Sequence, residues 1–418
     1  MNNDQQVTLL MTAITIIQMA YQYYMECIYI MLYYRSLSNT GYSSNLEVRL
    51  DPLDLINSDS SDEHFKRLFR VSKRFFLILY EEIDPLYQEK YVRNNKGLGG
   101  APRLPLSIRL GSFLFFIGRD TDYFTSAYMF GINDGSMHTF VAEMANLIVD
   151  VFPHVIRLPN STMEIQELAT EWNRFSDLKG IVAAADGCHF PIVLPRGGDS
   201  EAFYNFKGWY SILGLFVVDY KCKILIMDLG HCGSLDDSSI IKESVFWNYI
   251  TQLPDDYYFI GDGGFAIHEK LMIPYNETQL LNNNQNRDAL LNFNYQLSRA
   301  RVRVEQTFGI FKKKWRFLNR AVKVDPTQHV IITHAIAIIH NFSIEYEELN
   351  IVSWSSSTAE EEAQEQQDNK YLREWQMLSD FVSQLGPLLV QSDVEIREAG
   401  QLKRAEYLSR LIIQRNNE

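Results

Sequence analysis

Two kinds of apolar pattern divide the chain. From Glu63 onward, Phe65, Leu68, Phe69, Phe75, Phe76, Ile78 and Leu79 recur at the spacing of helices. Leu104 to Gly118 predicts a short apolar helix and Asp122 to Phe130 a second. After the turn Gly131–Gly135, Ser136 opens a third helix through Phe152. Between 180 and 265 the pattern changes to short apolar runs closed by glycine, which predict strands. The first is Gly180–Ile192, in which small and β-branched residues lead to Asp186. Ser211–Asp219 and Cys222–Asp228 form a hairpin about Tyr220-Lys221, the loop Gly230–Asp237 leads into a helix through Thr251, and Tyr257–Gly264 is a further strand. From Ser298 to Leu318 the period is helical again, with Val304, Phe308, Phe311, Trp315 and Leu318 on one face. A helix from Pro326 to Asn341 follows.

These patterns suggest four regions. Residues 1–60 are an N-terminal helix and linker, 61–170 a helical region, 171–345 an α/β domain, and 346–418 an acidic linker and C-terminal helical tail. The two short helices, glycine-containing turn and longer helix have a helix-turn-helix shape, with Ser136, His138 and Thr139 placed to face bases. That third helix carries no Lys or Arg. Asn94–Pro102 reads as a loop, and Asn276–Asn294 as a polar insertion. The order strand, hairpin, helix, strand, later helix is that of a ribonuclease H-like mixed sheet flanked by helices. Val7–Met25 is free of charge but diluted by Gln, Thr and Tyr, with no basic residue before it, so a buried or partner-facing helix is expected there and a membrane span is not.

Composition narrows the class. With 418 residues, 46% apolar and 22% charged, the chain is globular and can bury a substantial core. A net charge of −13 excludes a surface coated in basic residues and leaves room for a local basic patch. Cys27, Cys188, Cys222 and Cys232 form no disulfide framework, which points to a reducing compartment.

Three acids carry the candidate chemistry. Asp186 and Asp262 each end an apolar strand beside glycine, and Glu305 is a lone acid amid eight basic residues from Arg301 to Lys323. Burying a carboxylate at a strand end is costly unless cations or hydrogen bonds compensate. Acids on strand, strand and helix suit two divalent ions, Mg²⁺ or Mn²⁺, for phosphodiester chemistry. Asp186 would bridge them, Asp262 hold one and Glu305 the other. The neighbouring glycines leave room for a nucleic-acid backbone. Arg301, Glu305, Gly309, Lys312 and Arg316 form a stripe suited to a phosphate track. His189 is placed to orient Asp186 or touch phosphate. Asp236 reads as a helix cap. Cys188-His189 and His231-Cys232 form a rival zinc set, with adjacent ligands that point apart on a strand.

Asp186-Gly-Cys-His189, Gly233–Ser238, Gly261–Phe265 and Arg301–Gly309, with His340-Asn341 near the end of an apolar helix, resemble the PIF/Harbinger transposase family. The four motifs follow the family's order over about 160 residues, and the helical region before them matches too. The sequence departs from the family at Cys188, Asp236, Gly263 and Phe265, none of them an expected metal ligand. The resemblance implies a DDE endonuclease of ribonuclease H-like fold acting on DNA with Mg²⁺ or Mn²⁺. It assigns catalysis to Asp186, Asp262 and Glu305, and adds Asp237 as a further acid. It also implies a nuclear location and a separate Myb-like DNA-binding partner, and it leaves a homo-oligomer open. The competing readings are a domesticated scaffold that binds DNA or protein without cleaving, and a related enzyme acting on RNA.

Overall fold

The chain alternates short capped helices with a sheet that its central strand organises. The structure, a computed structural model, describes residues 49–92, 104–250, 252–265, 270–282 and 287–346. The expected N-terminal helix and most of its linker, the loop at 94–102 and the acidic C-terminal region lie outside the described residues. Among the described residues no helix is long and apolar enough to cross a membrane.

Among the described residues seven α-helices precede the sheet: α1 (Pro52–Asn57), α2 (Asp62–Phe69), α3 (Lys73–Tyr87), α4 (Leu106–Gly118), α5 (Tyr123–Met129), α6 (Asp134–Val151) and α7 (Thr162–Trp172). Short polar side chains start them. Ser61 accepts from His64 N–H, Ser72 from Phe75, Asp122 from Thr125 and Asn133 from Ser136. Each such cap is worth about 1 kcal/mol. Because Asn133 caps α6, this helix begins at Asp134, two residues before the expected start. The His138 ring stacks on Tyr123 with centroids 3.6 Å apart, so one of the three expected base-facing side chains is engaged within the helical region.

The second half contains β1 (Ile181–Pro191), α8 (Ser200–Phe203), β2 (Ser211–Val218), β3 (Ile224–Cys232), α9 (Asp237–Glu243), α10 (Val245–Ile250), β4 (Tyr258–Ile260), β5 (Leu271–Met272), α11 (Glu277–Asn282), α12 (Arg287–Lys314) and, after a 3₁₀ turn at Arg316–Asn319, α13 (Pro326–Tyr346). The sheet order is β3-β2-β1-β4-β5. The β1–β2 and β2–β3 pairs are antiparallel, and β1–β4 and β4–β5 are parallel. The α/β expectation is met by this mixed, helix-flanked sheet, with β1 at its centre.

One sheet face packs Ala184, Phe190 and Phe216 against Val304 and Phe311 of α12, Trp315 just past it, and Ile336 and Ile339 of α13. Phe65, Phe76, Phe113 and Phe116 of the helical region belong to the same core. The other face packs Ala183, Leu213 and Val217 against Ile240, Ile241 and Phe246 of α9 and α10. Each fully buried large side chain contributes roughly 2 kcal/mol.

Four local expectations shift. The hairpin turn spans Asp219 to Lys223, where the Asp219 carboxylate accepts from the N–H groups of Lys221 and Lys223 and Cys222 takes φ +65°. The helix after the hairpin breaks at Ser244 into two. The two-residue β5 is too short to announce itself as a pattern. The helix bearing Glu305 begins at Arg287, inside the supposed polar insertion, because its first turns leave Leu291 and Tyr295 exposed and so show no apolar stripe.

His340 and Asn341 anchor the sheet. The buried His340 Nε2 meets the Cys222 carbonyl at 3.0 Å. The Asn341 amide accepts from Ile224 N–H and donates to Ile224 C=O, both at 2.8 Å, so it pairs with edge strand β3 as another strand would. Asn341→Ala leaves two buried backbone groups without partners and is expected to lower the unfolding free energy by about 2–4 kcal/mol in urea denaturation. A loss under about 0.5 kcal/mol would show that this pairing is dispensable.

Candidate metal centre

Parallel pairing sets the first two acids side by side. Ala184 is in register with Ile260, and Asp186 and Asp262 each lie two residues further along. Asp186, in the middle of β1, and Asp262, two residues past the end of β4, therefore stand side by side at the same level. Asp237 arrives from the first turn of α9. Its neighbour Asp236 caps that helix by accepting from Ser239 N–H at 2.8 Å, which confirms the capping role read for Asp236. Ligand oxygens of Asp186, Asp237 and Asp262 lie within 4.8 Å of one another, and all three side chains are half-buried.

Gly187 makes this convergence possible. A Cβ there would stand 1.9 Å from Asp237 Oδ1 and 2.5 Å from its Cγ, so no other residue fits without moving the carboxylate. The space next to Asp186, expected to admit a nucleic-acid backbone, is filled by Asp237. Gly263 is open by comparison, with Pro274 Cγ the nearest atom at 3.9 Å. Gly264 N–H donates to Asp262 Oδ1 at 2.8 Å and steadies that acid.

Electrostatics record the crowding. Burial pushes the Asp186 carboxyl up to about 6; Arg301 opposes the rise, while Asp262 and Asp237 add to it. Burial likewise raises Asp237 to about 6, helped by Asp262 and Asp236 and opposed by Lys207. Arg301 is the nearby cation, with Nη2 3.8 Å from Asp186 Oδ2 and 2.9 Å from Glu305 Oε1.

Glu305 is held apart from the three aspartates. Its side chain is 58% exposed against 16% for Asp186, and it pairs with Arg301 one turn earlier on α12. Lys312 donates to the His189 carbonyl at 2.8 Å and lies over the Phe190 ring, tying α12 to β1. Arg316 falls in the 3₁₀ turn beyond the helix, so the expected stripe ends at Lys312. A Cβ at Gly309 would meet nothing within 4 Å, which leaves that position open to solvent. His189 turns Nδ1 to Ser211 Oγ at 3.0 Å, and burial beside Lys207 and Lys312 lowers its pKa to about 4.

The zinc arrangement does not form among the described residues. Cys188 and His189 pair with β2, and His231 and Cys232 pair with β2 from its other side. The two sets are thus two strand spacings apart, roughly 9–10 Å, and His231 pairs with Asp228 instead. Three converging carboxylates are hard oxygen donors, and their mutual repulsion calls for a cation. Mg²⁺ or Mn²⁺ fits this set better than a softer ion does. Convergence of Asp237 was legible only through the family motif; the local sequence signal is the glycine directly after Asp186.

Gly187→Ala keeps an ordinary backbone conformation, since Gly187 is not among the positive-φ glycines, yet displaces Asp237. It is expected to weaken Mn²⁺ binding about 10–100-fold by calorimetry; unchanged affinity would remove Asp237 from the centre. The raised carboxyls also set a pH dependence. Between the unfolded value near about 4 and the folded value of about 6, the native state holds more protons. Metal-free stability therefore falls as pH rises through that window. Metal binding needs those protons gone, so the thermal stabilisation by Mn²⁺ over EDTA is expected to grow from pH 5 to 7.5. A pH-independent increment would contradict the assignment.

Comparison with known proteins agrees with this geometry. Residues 185–341 match the family model described as DDE superfamily endonuclease. The chain is 26% identical over 230 residues to a rat (Rattus norvegicus) protein named putative nuclease HARBI1, covering 54% of this chain and 63% of the relative. It is 25% identical to the Homo sapiens protein of the same name over the same shares. An Arabidopsis thaliana protein named ALP1-like is 22% identical over 305 residues, 68% of this chain and 71% of the relative. The chain thus spans under two thirds of the length of the first of these relatives. No solved structure matches it. The resemblance carried by the four motifs is borne out: the segment bearing Asp186, Asp237, Asp262 and Glu305 is the one that matches the DDE superfamily endonuclease model.

Proposed function

We propose that the chain is a metal-dependent DNA endonuclease or transposase of Harbinger type, with a ribonuclease H-like core and a two-metal mechanism. The observation that carries this reading is the convergence of Asp186, Asp237 and Asp262 within 4.8 Å, from mid-β1, the first turn of α9 and the residues just after β4. Asp186 and Asp262 would hold divalent ions, with Asp237 beside them and Glu305 recruited from its pair with Arg301. Bound Mg²⁺ or Mn²⁺ would activate the attacking oxygen and neutralise charge on the leaving one.

The chain's own groups have separate tasks in this scheme. Three half-buried carboxylates concentrate negative charge where cations must sit. Arg301, released from Glu305, would carry its fixed charge toward a phosphate. Lys312 holds α12 against β1, which keeps the helix-borne acid in register with the strand-borne ones. His189 stays neutral near pH 7, since burial depresses its pKa to about 4, and so contacts phosphate only as a hydrogen-bonding group. The lack of Lys or Arg on α6, together with the His138–Tyr123 stack, supports a separate Myb-like protein as the sequence reader. The family resemblance adds the nucleus as the place where it would act with this chain or a homo-oligomer of it.

A non-cleaving scaffold would have no use for three desolvated acids that repel one another, and the convergence favours the enzyme for that reason. The test is nicking of supercoiled plasmid by purified protein in Mg²⁺, Mn²⁺ or EDTA, beside Asp186→Asn, Asp262→Asn and Glu305→Gln. Metal-dependent nicking reduced at least about a hundredfold in each variant is expected. Retained activity in Glu305→Gln alone would restrict the centre to the three aspartates. Wild-type protein that binds no metal and nicks neither DNA nor RNA would leave the scaffold.

A further inference from the structure

The segment Tyr204–Tyr210 has no part in the metal centre, yet it is built rigidly on its rim. Tyr204 and Tyr210 form an antiparallel bridge. Asn205, only 2% exposed, organises the tip between them. Its Oδ1 accepts from the N–H groups of Lys207 and Trp209, its Nδ2 donates to Ser211 Oγ, and its backbone exchanges hydrogen bonds with Trp209 and Gly208. Gly208 takes φ +87°, a conformation that favours glycine. The outcome is a braced loop that holds Phe206 83% exposed and Tyr204 49% exposed.

Single exposed aromatics are common on protein surfaces, so location and surroundings decide what this one does. The His189 ring, three residues past Asp186 on β1, lies 5.6 Å from Phe206 and 5.9 Å from Trp209. Lys207 stands 5.4 Å from the Phe206 ring, and its charge is felt by both His189 and the Asp237 carboxyl. Ser234 N–H donates to the Ala202 carbonyl, which joins the base of the loop to the segment that delivers Asp237. A flat apolar face, a cation beside it and a carboxylate cluster next door match one kind of ligand. A nucleotide presents a flat apolar base, and its phosphate is drawn to the cation. A base inside a duplex shows only its edges, so the ring requires one that is unpaired.

We infer that Phe206, with Lys207 beside it, is a stacking platform for an unpaired DNA base next to the phosphate held at the metal centre. This rests on the proposed nuclease reading and specifies its substrate: the DNA is opened or single-stranded at the site of reaction. Asn205 is the positioning residue that keeps the platform extended before DNA arrives.

The full-length protein in EDTA, where nothing is cleaved, would be titrated with a duplex carrying a single-stranded tail that contains 2-aminopurine, and with a blunt duplex. Wild type is expected to quench the tail's fluorescence. Phe206→Ala should bind the tailed duplex about tenfold more weakly with blunt-duplex affinity unchanged, while Phe206→Trp retains both binding and quenching. Equal affinity of Phe206→Ala and wild type for the tailed duplex, or a parallel loss on blunt duplex, would overturn the platform. The two readings separate cleanly. Tail-specific loss in a protein that never nicks plasmid sustains the platform and removes the nuclease, and nicking by a protein whose tail binding ignores Phe206 removes the platform alone.

Discussion

Three carboxylates within 4.8 Å of one another, half out of water, are the constraint on which the rest of this domain depends. At that separation each charged pair repels by about 3 kcal/mol at an effective dielectric near about 20. A fold tolerates that only if the backbone forces the acids together. Here β1 and β4 run parallel, so Asp186 within β1 and Asp262 just past β4 are brought to the same level. Asp236 fixes the first turn of α9, and Gly187 removes the one Cβ that would keep Asp237 away. The protons that Asp186 and Asp237 retain up to about pH 6 are the metal-free chain's partial relief.

The packing around the acids follows from the need to hold β1 still. Its alanines at 183, 184 and 185 are small enough for helices to close over both faces, and all three are fully buried. Trp172 at the end of α7 donates to the Val182 carbonyl from one side of the strand run, and Lys312 of α12 reaches the His189 carbonyl further along. The outer hairpin is fastened by the Asn341 amide, which takes the role of a missing neighbour for β3. His340-Asn341 thus serves the sheet and makes no contribution of its own at the acids, although the motif recurs with them in the family resemblance.

Periodicity made the large features of this arrangement legible. The Asp186 strand is central, the hairpin is present, and of the expected stripe Val304, Phe311, Trp315 and Leu318 are buried and Phe308 is half-buried. Where elements leave their apolar residues exposed, the pattern falls silent. The early turns of α12 hid within an Asn-rich stretch for that reason, and β5 has only two residues. The candidate site was legible in part. Asp262 shows as an acid closing an apolar strand, whereas Asp186, expected at a strand end, sits in the middle of β1, which runs on to Pro191. The approach of Asp237 is a tertiary event that local sequence marks only by a glycine. The phosphate stripe was drawn on an ideal helix, and the chain leaves that helix at Lys314, which carries Arg316 out of line.

Glu305 is the acid whose position is set by a competitor. Arg301 precedes it by four residues on α12, the spacing at which side chains meet on a helix surface. The guanidinium sits between two groups, 3.8 Å from Asp186 and 2.9 Å from Glu305. It therefore supplies in one fixed charge what the carboxylates require, and it turns Glu305 outward while doing so. A divalent cation among Asp186, Asp237 and Asp262 would compete with that guanidinium for Asp186 and loosen its hold on Glu305 through the same side chain. On the proposed reading, recruitment of the helix-borne acid and release of Arg301 toward phosphate are one rearrangement. The half-exposed pair on α12 is the place where it would begin, because a surface ion pair of this kind is worth at most about 1 kcal/mol. The exposure of Glu305 is in this view a consequence of charge balance at Asp186, with Arg301, one turn earlier on the helix, bridging the two acids.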